Sequence, residues 1–376
     1  MNLFPHLDLA DELAAVEALA AEGLHVAHHA DADGAIASAL IGAMLEHPPN
    51  GYCQVTTEDI HLDPLVEWVR KEKVENLVTF DINVWSTRGA LTKLSDAVRR
   101  SVRVIDDHLG EIGALPDKVA LVQLLPPGER TKRKDQIRPA FLFADAVAVS
   151  SRRMRSGMQA FLALAGLYGE GVSHLFDLPG IGASRDVHRS AREFGRGVTA
   201  AYIALNSSPD DDHLVQGLVD LLIESNSDTR VDQAAQRALV SDIGNQVMEA
   251  AELVTLLVKK EVQGVNASTP WLSTETFDVY FVEVNASERI VNLVASETRS
   301  MLNSGIALAV QQVPSGIALE LRRAKDLDAP NLVELLMELN GSMFISRGGH
   351  PMAAGATVVP GRIDDVIGAL RDKLLR

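Results

Sequence analysis

The chain predicts an α/β protein of two domains, with a parallel sheet in the larger N-terminal one. Three observations predict it. The length of 376 residues exceeds the usual size of one domain, and a hydrophobic content of 47% is enough to bury a sizeable core. Short apolar runs alternate with segments of helical periodicity through the first 124 residues. Acidic or histidine-bearing residues follow three of those runs, at the C-terminal ends of the strands they predict, where parallel sheets gather their ligands.

In chain order, Asp8 to Ala21 carries Leu, Ala and Val at helical spacing, Leu24 to Ala27 reads as a strand, and Ala35 to Glu46 as a helix. Leu62 to Lys71 and Thr87 to Arg99 read as helices, and Asn76 to Phe80, Val102 to Ile105 and Val119 to Leu124 as strands. From Met158 the pattern becomes mainly helical, with Ala160 to Leu167, Val187 to Leu205, His213 to Ser225 and a long stretch from Arg230 to Val262. Gln263 to Thr276, with its Gly, Asn, Ser, Thr and Pro, reads as a linker. Beyond it Phe277 to Val284, Gly305 to Val313 and Ile317 to Arg322 read as strands and Leu332 to Leu339 as a helix. The expected division is a catalytic domain over 1–205, a helical connector over 206–264 and a smaller α/β domain over 265–376. No internal repeat or low-complexity segment interrupts it.

Composition excludes several classes. A single cysteine, Cys53, rules out an intramolecular disulfide framework and thiolate zinc clusters, leaving carboxylate and imidazole as metal ligands. A lone cysteine of this kind is core filler. The net charge of -16 argues against coating of long nucleic acid by a broad basic surface. With 10 Phe, 4 Tyr and 3 Trp, an extended base-stacking platform is not expected either, which inclines the reading toward a short substrate. No apolar run spans a bilayer and no basic region precedes an apolar one at the N-terminus, so a cytoplasmic location is expected.

The richest segment is His28-His29-Ala30-Asp31-Ala32-Asp33-Gly34. In an extended chain His29, Asp31 and Asp33 share a face, and Gly34 lets the backbone turn into a helix. Thr79-Phe80-Asp81 and Val104-Ile105-Asp106-Asp107-His108 place further ligands after two more strands. Any one of these residues has a plainer reading, since Asp before Gly is a common turn residue and Asp after a strand a common helix cap. Three strand ends together supply what a two-metal hydrolase needs: hard oxygen donors, imidazoles and a carboxylate able to bridge two ions. His25, beside this segment, reads as a packing residue.

The ordered set His29-x-Asp31-x-Asp33-Gly34, Asp81 and Asp106-Asp107-His108, followed far downstream by Gly348-Gly349-His350-Pro351-Met352-Ala353-Ala354-Gly355, resembles the DHH phosphoesterase family with its C-terminal DHH-associated domain. That family includes RecJ-like exonucleases, nanoRNases and cyclic-dinucleotide phosphodiesterases. The resemblance implies a parallel-sheet DHH domain, a smaller α/β DHH-associated domain, and hydrolysis of short oligonucleotides or nucleotides with two Mn2+ ions, Mg2+ being the other cation of this type. Position by position it implies metal ligands at His29, Asp31, Asp33, Asp81, Asp107 and Glu170, with Asp81 bridging and His108 on the phosphate. Two of these depart from the family pattern: Asp107 stands where a histidine is usual, which favours harder ions, and Glu170 where an aspartate is usual.

For the second domain the resemblance implies substrate phosphate held by Gly348, Gly349 and His350 with Arg347 and Arg322, in a cleft between the domains. Glycines allow close backbone approach to an anion, and arginine suits phosphate. The basic runs Arg130 to Arg138 and Arg152 to Arg155 are the candidate channel walls for a short single-stranded RNA or DNA. The partners expected are that substrate, a second copy of the chain, and a replication or repair protein. The competing reading is a catalytically weakened DHH-like scaffold in a replication or repair assembly, motivated by Asp107 and Glu170.

Overall fold

A computed structural model describes residues 4–56, 62–82, 89–106, 115–124, 139–151, 156–169, 183–205, 212–225, 230–265, 269–302, 305–324 and 327–375. Asp107, His108 and Glu170 lie outside the described residues, as do both basic runs and the side chain of His350. The chain divides into two compact units, Met1–Ala251 and Glu252–Arg376. The fold is α/β, with a parallel five-stranded sheet in the first unit and a mixed six-stranded sheet in the second.

The first sheet comprises β1 (Leu24–His29), β2 (Gly51–Val55), β3 (Asn76–Phe80), β4 (Ser101–Asp106) and β5 (Val119–Gln123), in the order β2-β1-β3-β4-β5. All four pairings are parallel. This order runs outward from β1 to β2 and then reverses to β3, so the topological switch point lies between β1 and β3. Sequence pattern does not announce the edge strand β2, because Gly-Tyr-Cys-Gln-Val is short and alternates poorly.

Strand periodicity sorts side chains between the faces. Ala27, Cys53, Leu77 and Val104 face a cluster closed by Leu65, Val66 and Val69 of α3 (Asp63–Glu72) and Leu94 of α4 (Ala90–Ala97). Cys53 is fully buried there, the packing role expected of it. The remaining helices of the unit include α1 (Leu9–Ala21), α2 (Ala32–Met44), α5 (Ala140–Ser151), α6 (Gly157–Gly169), α7 (Arg185–Leu205), α8 (His213–Glu224) and α9 (Val231–Val240). Helix α2 is buried from Ala32 to Gly42 because α5, α6, α7 and α8 all pack on it, which explains a sequence apolar all round. Phe161 and Phe194 meet edge to face between α6 and α7, 5.4 Å between centroids. Burial of each such ring is worth about 1.5–3 kcal/mol.

The helical stretch expected over Arg230 to Val262 is two helices, α9 and α10 (Asp242–Val262), broken at Ser241. Ser241 is extended, with ψ 160, and its hydroxyl accepts from the Gly244 amide, capping α10. Of the segment read as a connector, α8 and α9 pack within the first unit and α10 crosses the division at Ala251.

In the second unit the strands are β6 (Leu272–Ser273), β7 (Asp278–Val284), β8 (Ile306–Val313), β9 (Gly316–Arg323), β10 (Phe344–His350) and β11 (Ala353–Val358), ordered β10-β11-β9-β8-β7-β6. Leu308, Leu319 and Ala356 form its core with Leu332, Leu335 and Leu336 of α12 (Leu332–Met337) and Val366 and Leu370 of α13 (Ile363–Leu374). A further helix, α11 (Val291–Met301), packs on β8 and β9. The closing motif is a β-hairpin: Gly348 pairs with Gly355 and His350 with Ala353 around a turn at Pro351 and Met352. No helix among the described residues is long and apolar enough to cross a membrane.

Candidate metal centre

The switch point is where the chain concentrates its ligands. His29 ends β1, Asp31 caps α2, and Asp81 follows β3 directly. One donor atom from each lies within 4.8 Å of the others. His29 Nδ1 is 2.5 Å from Asp31 Oδ2 and 3.5 Å from Asp81 Oδ2. Asp31 uses its other oxygen to accept from the Gly34 amide at 3.0 Å, so its orientation is fixed from both ends.

Backbone detail supports the same geometry. Asp81 takes φ 57, a left-handed conformation that costs a non-glycine residue about 1–2 kcal/mol and collects at functional sites. Its amide donates to Ile105 O at 3.1 Å, which holds the strained residue against β4. At Gly34 a Cβ would lie 2.4 Å from His29 O and 2.8 Å from His29 N, so only glycine lets α2 start this close to the end of β1.

Electrostatics show how the trio shares its charge. Burial pulls the His29 ring down, but Asp31 and Asp81 outweigh it and keep the ring well above the usual imidazole range. Burial pushes Asp31 up, and His29 together with the Gly34 amide reverses that and leaves its carboxyl below the usual range. Two carboxylates are thus gathered around one positive centre, and one imidazole nitrogen with two hard oxygens is a donor set for a divalent cation such as Mn2+ or Mg2+.

Other expected site residues fall elsewhere. Asp33 is buried, and its carboxylate accepts from Ala140 N at 2.9 Å and Phe141 N at 2.7 Å, capping the N-terminus of α5. Asp106, buried at the end of β4, occupies the next strand end along. Arg347 donates to the carbonyls of Leu336, 2.9 Å, and Leu339, 2.7 Å, at the C-terminal end of α12, and its guanidinium lies 5.2 Å from the Phe344 ring centre. Arg322 pairs with Glu320 at 2.9 Å. Gly355 is opposite Glu320, and a Cβ there would come within 2.4 Å of Glu320 Oε1. Gly348 leaves open space where a Cβ would stand, consistent with access to its backbone. His25 packs edge-on against Trp68, 5.5 Å between centroids, in keeping with the packing role its position in β1 predicts.

Behind the trio lies a buried network. His28 Nε2 is 2.6 Å from Asp212 Oδ2, and Tyr202 of α7 donates to the same carboxylate at 3.1 and 3.2 Å. The second ring nitrogen of His28 donates to the carbonyl of His29 at 2.7 Å. Thr199 Oγ1 accepts from the Ala32 amide at 3.2 Å. No local pattern announces Asp212, which stands 184 residues from its partner. Only its role as N-cap of α8, accepting from Val215 N, is visible nearby.

Residues 275–375 match the family model of the DHHA1 domain. No curated protein sequence matches the chain. Among solved structures, a manganese-bound exonuclease RecJ is similar over 100% of this chain and 96% of its own, with TM-score 0.54 and 17% identity. RecJ of Thermus thermophilus in complex with Mn2+ matches over 99% of this chain and 56% of its own, with TM-score 0.57 and 15% identity. The DHH domain of a protein described as a member of a family of ribosomal proteins matches over 98% and 90%, with TM-score 0.66 and 12% identity. At these identities the likeness is one of fold. The chain is a two-unit α/β protein with the fold of these RecJ and DHH-domain structures. More particularly, the fold is shared with manganese-bound RecJ, and the match to the DHHA1 domain model lies at the C-terminal end.

Proposed function

We propose that this protein is a divalent-cation-dependent phosphoesterase, acting on the phosphoester bonds of short oligonucleotides or nucleotides. The observation that carries the reading is the convergence of His29, Asp31 and Asp81 at the switch point between β1 and β3, in a fold shared with RecJ structures that hold manganese. His29, Asp31 and Asp81 hold the cation, with Asp107 and Glu170 assigned to the same metal set, while Asp33 is committed to the cap of α5. Mn2+ is the expected ion. When bound, such cations neutralise phosphate charge and supply hydroxide near neutral pH.

The chain's own groups account for the remaining requirements. Gly34 and the Asp31 cap orient the donors before any ligand arrives, and the cation takes the place of the proton that His29 shares with Asp31. His108 is assigned to the phosphate, and Gly348, Gly349 and His350 of the second unit to the substrate's remaining phosphate. Arg347 and Arg322 are committed in this structure to the end of α12 and to Glu320. Arg322 joins the substrate set by exchanging the Glu320 carboxylate for a phosphate.

The test is incubation of the purified protein with Mn2+ and, separately, short RNA, short DNA, cyclic dinucleotides and phosphoadenosine phosphate. Hydrolysis of at least one is expected. No turnover of any of them in any divalent metal overturns the enzymatic reading and leaves the scaffold reading, which the departures at Asp107 and Glu170 favour.

A further inference from the structure

Helix α7 carries Arg185, Arg189, Arg192 and Arg196, all exposed. At about 100° per residue these four fall within a sector of about 60°, forming one stripe. Val187, Ala191, Phe194 and Val198 occupy the opposite, buried face. A stripe of this kind on a chain of net charge -16 is a local reversal of sign.

Its placement gives it direction. Three residues on from Arg196 comes Thr199, which accepts from the Ala32 amide inside the metal-binding turn, at 3.2 Å. Gly169, the last residue of α6, touches the same turn: a Cβ on it would be 2.4 Å from that of Ala32. Next to Gly169 is Tyr168, whose hydroxyl meets His188 Nδ1 at 3.0 Å and whose ring lies 5.0 Å from the Arg192 guanidinium. His188, Arg192 and Thr199 therefore share the side of α7 that faces the end of α6 and the metal-binding turn. The acidic residues of this part of the helix, Asp186 and Glu193, lie on the other flank, where Asp186 pairs with Arg189 at 3.1 Å.

We infer that the α7 stripe is a track for the phosphates of a single-stranded nucleic acid whose end lies in the metal centre. The inference rests on the phosphoesterase reading and deepens it from short substrates in general to single strands of several nucleotides. The arginines rise about 4.5–6 Å apart along the helix, a spacing suited to successive phosphates, and the stripe with Thr199 spans about 21 Å. Guanidinium groups bind phosphate bidentately and tolerate any base order. Tyr168, with Arg192 over its ring, provides one aromatic surface beside the track, the combination that sequence-independent single-strand binders use. An acidic protein segment would find the same charge, but nothing in it explains why the cationic side turns toward the metal-binding turn.

The test uses the full chain in EDTA and fluorescence anisotropy with labelled single strands from a dinucleotide to about twelve nucleotides. Three proteins are compared: wild type, the quadruple Arg→Gln variant at 185, 189, 192 and 196, and the quadruple Arg→Lys variant. Wild-type affinity should rise with length. The Gln variant should lose about tenfold or more on a strand of about eight nucleotides and less than about twofold on the dinucleotide, with the slope of log affinity against log salt shallower by about 2–3. The Lys variant should keep that slope. Equal losses on both lengths, unchanged binding of the longer strand by the Gln variant, or no binding by wild type at any length overturns the track. Manganese-dependent hydrolysis of the dinucleotide reads the metal centre separately. Turnover without length-dependent loss sinks the track alone, and length-dependent loss without turnover in any metal sinks the phosphoesterase reading alone.

Discussion

His28 is held between two acceptors, the Asp212 carboxylate at 2.6 Å and the carbonyl of its neighbour His29 at 2.7 Å, with no solvent exposure of its side chain. The ring thereby links the cap of α8 to His29 of the candidate metal-binding trio. Burial pushes the Asp212 carboxyl up, while His28, the Val215 amide and Tyr202 reverse this and hold it below the usual carboxylate range.

Removing one partner of a buried pair leaves the other uncompensated, which costs about 3–5 kcal/mol. Asp212→Ala should lower stability by that amount in urea unfolding. A carboxyl depressed in the folded state contributes stability that is complete above its unfolded value near 3.8 and is lost as pH falls through the lower folded value. The wild type should therefore lose stability below pH ~4, and Asp212→Asn should flatten that part of the curve.

Asp145 behaves in the opposite sense. Burial between α5 and α6 pushes its carboxyl up to about 6, against the opposing hydrogen bond from Gln159 at 2.8 Å. The folded state then holds its proton after the unfolded chain has released it, so stability falls as pH rises from about 4 to about 6 and levels off above. Asp145→Asn should stabilise the protein at neutral pH by on the order of 1–3 kcal/mol and remove this slope, as thermal unfolding against pH will show.

Gly34→Ala places a methyl group 2.4 Å from a backbone oxygen that cannot move independently of His29. The variant should bind Mn2+ at least about tenfold more weakly, since the cost of displacing the turn, roughly 1–3 kcal/mol, falls on the donor geometry. Gly361→Ala, where a Cβ meets nothing within 4 Å but φ is 79, should cost stability without altering metal affinity.

Arg347→Ala separates two roles for one side chain. Loss of the bonds to Leu336 and Leu339 should destabilise the protein by about 1–3 kcal/mol in urea unfolding. An unchanged unfolding curve with a raised KM would instead assign the guanidinium to substrate.

Much of this is legible without the structure. The bounds of β3 follow from one apolar run, Asn76 to Phe80, and the acidic residue after it marks the strand end where the switch point lies. The trio is legible because two of its members share one segment. Asp33 is harder: spacing aligns it with Asp31, but the N-terminus of α5, over a hundred residues away in sequence, takes its carboxylate. Gly348 to Gly355 has too many glycines to carry strand propensity, so pairing with β9 rather than local preference makes it a hairpin. The Ser241 break is hidden because a serine within a helical pattern is ordinary until its hydroxyl turns to cap Gly244.

The most direct measurement is calorimetric titration of Mn2+ into wild type and Asp81→Asn. Asparagine tolerates the left-handed backbone at 81, so the fold is kept while a ligand charge is removed. Saturable binding by wild type, weakened about tenfold or more in the variant, is the predicted result. Equal affinity in the two proteins would contradict a cation site at His29, Asp31 and Asp81.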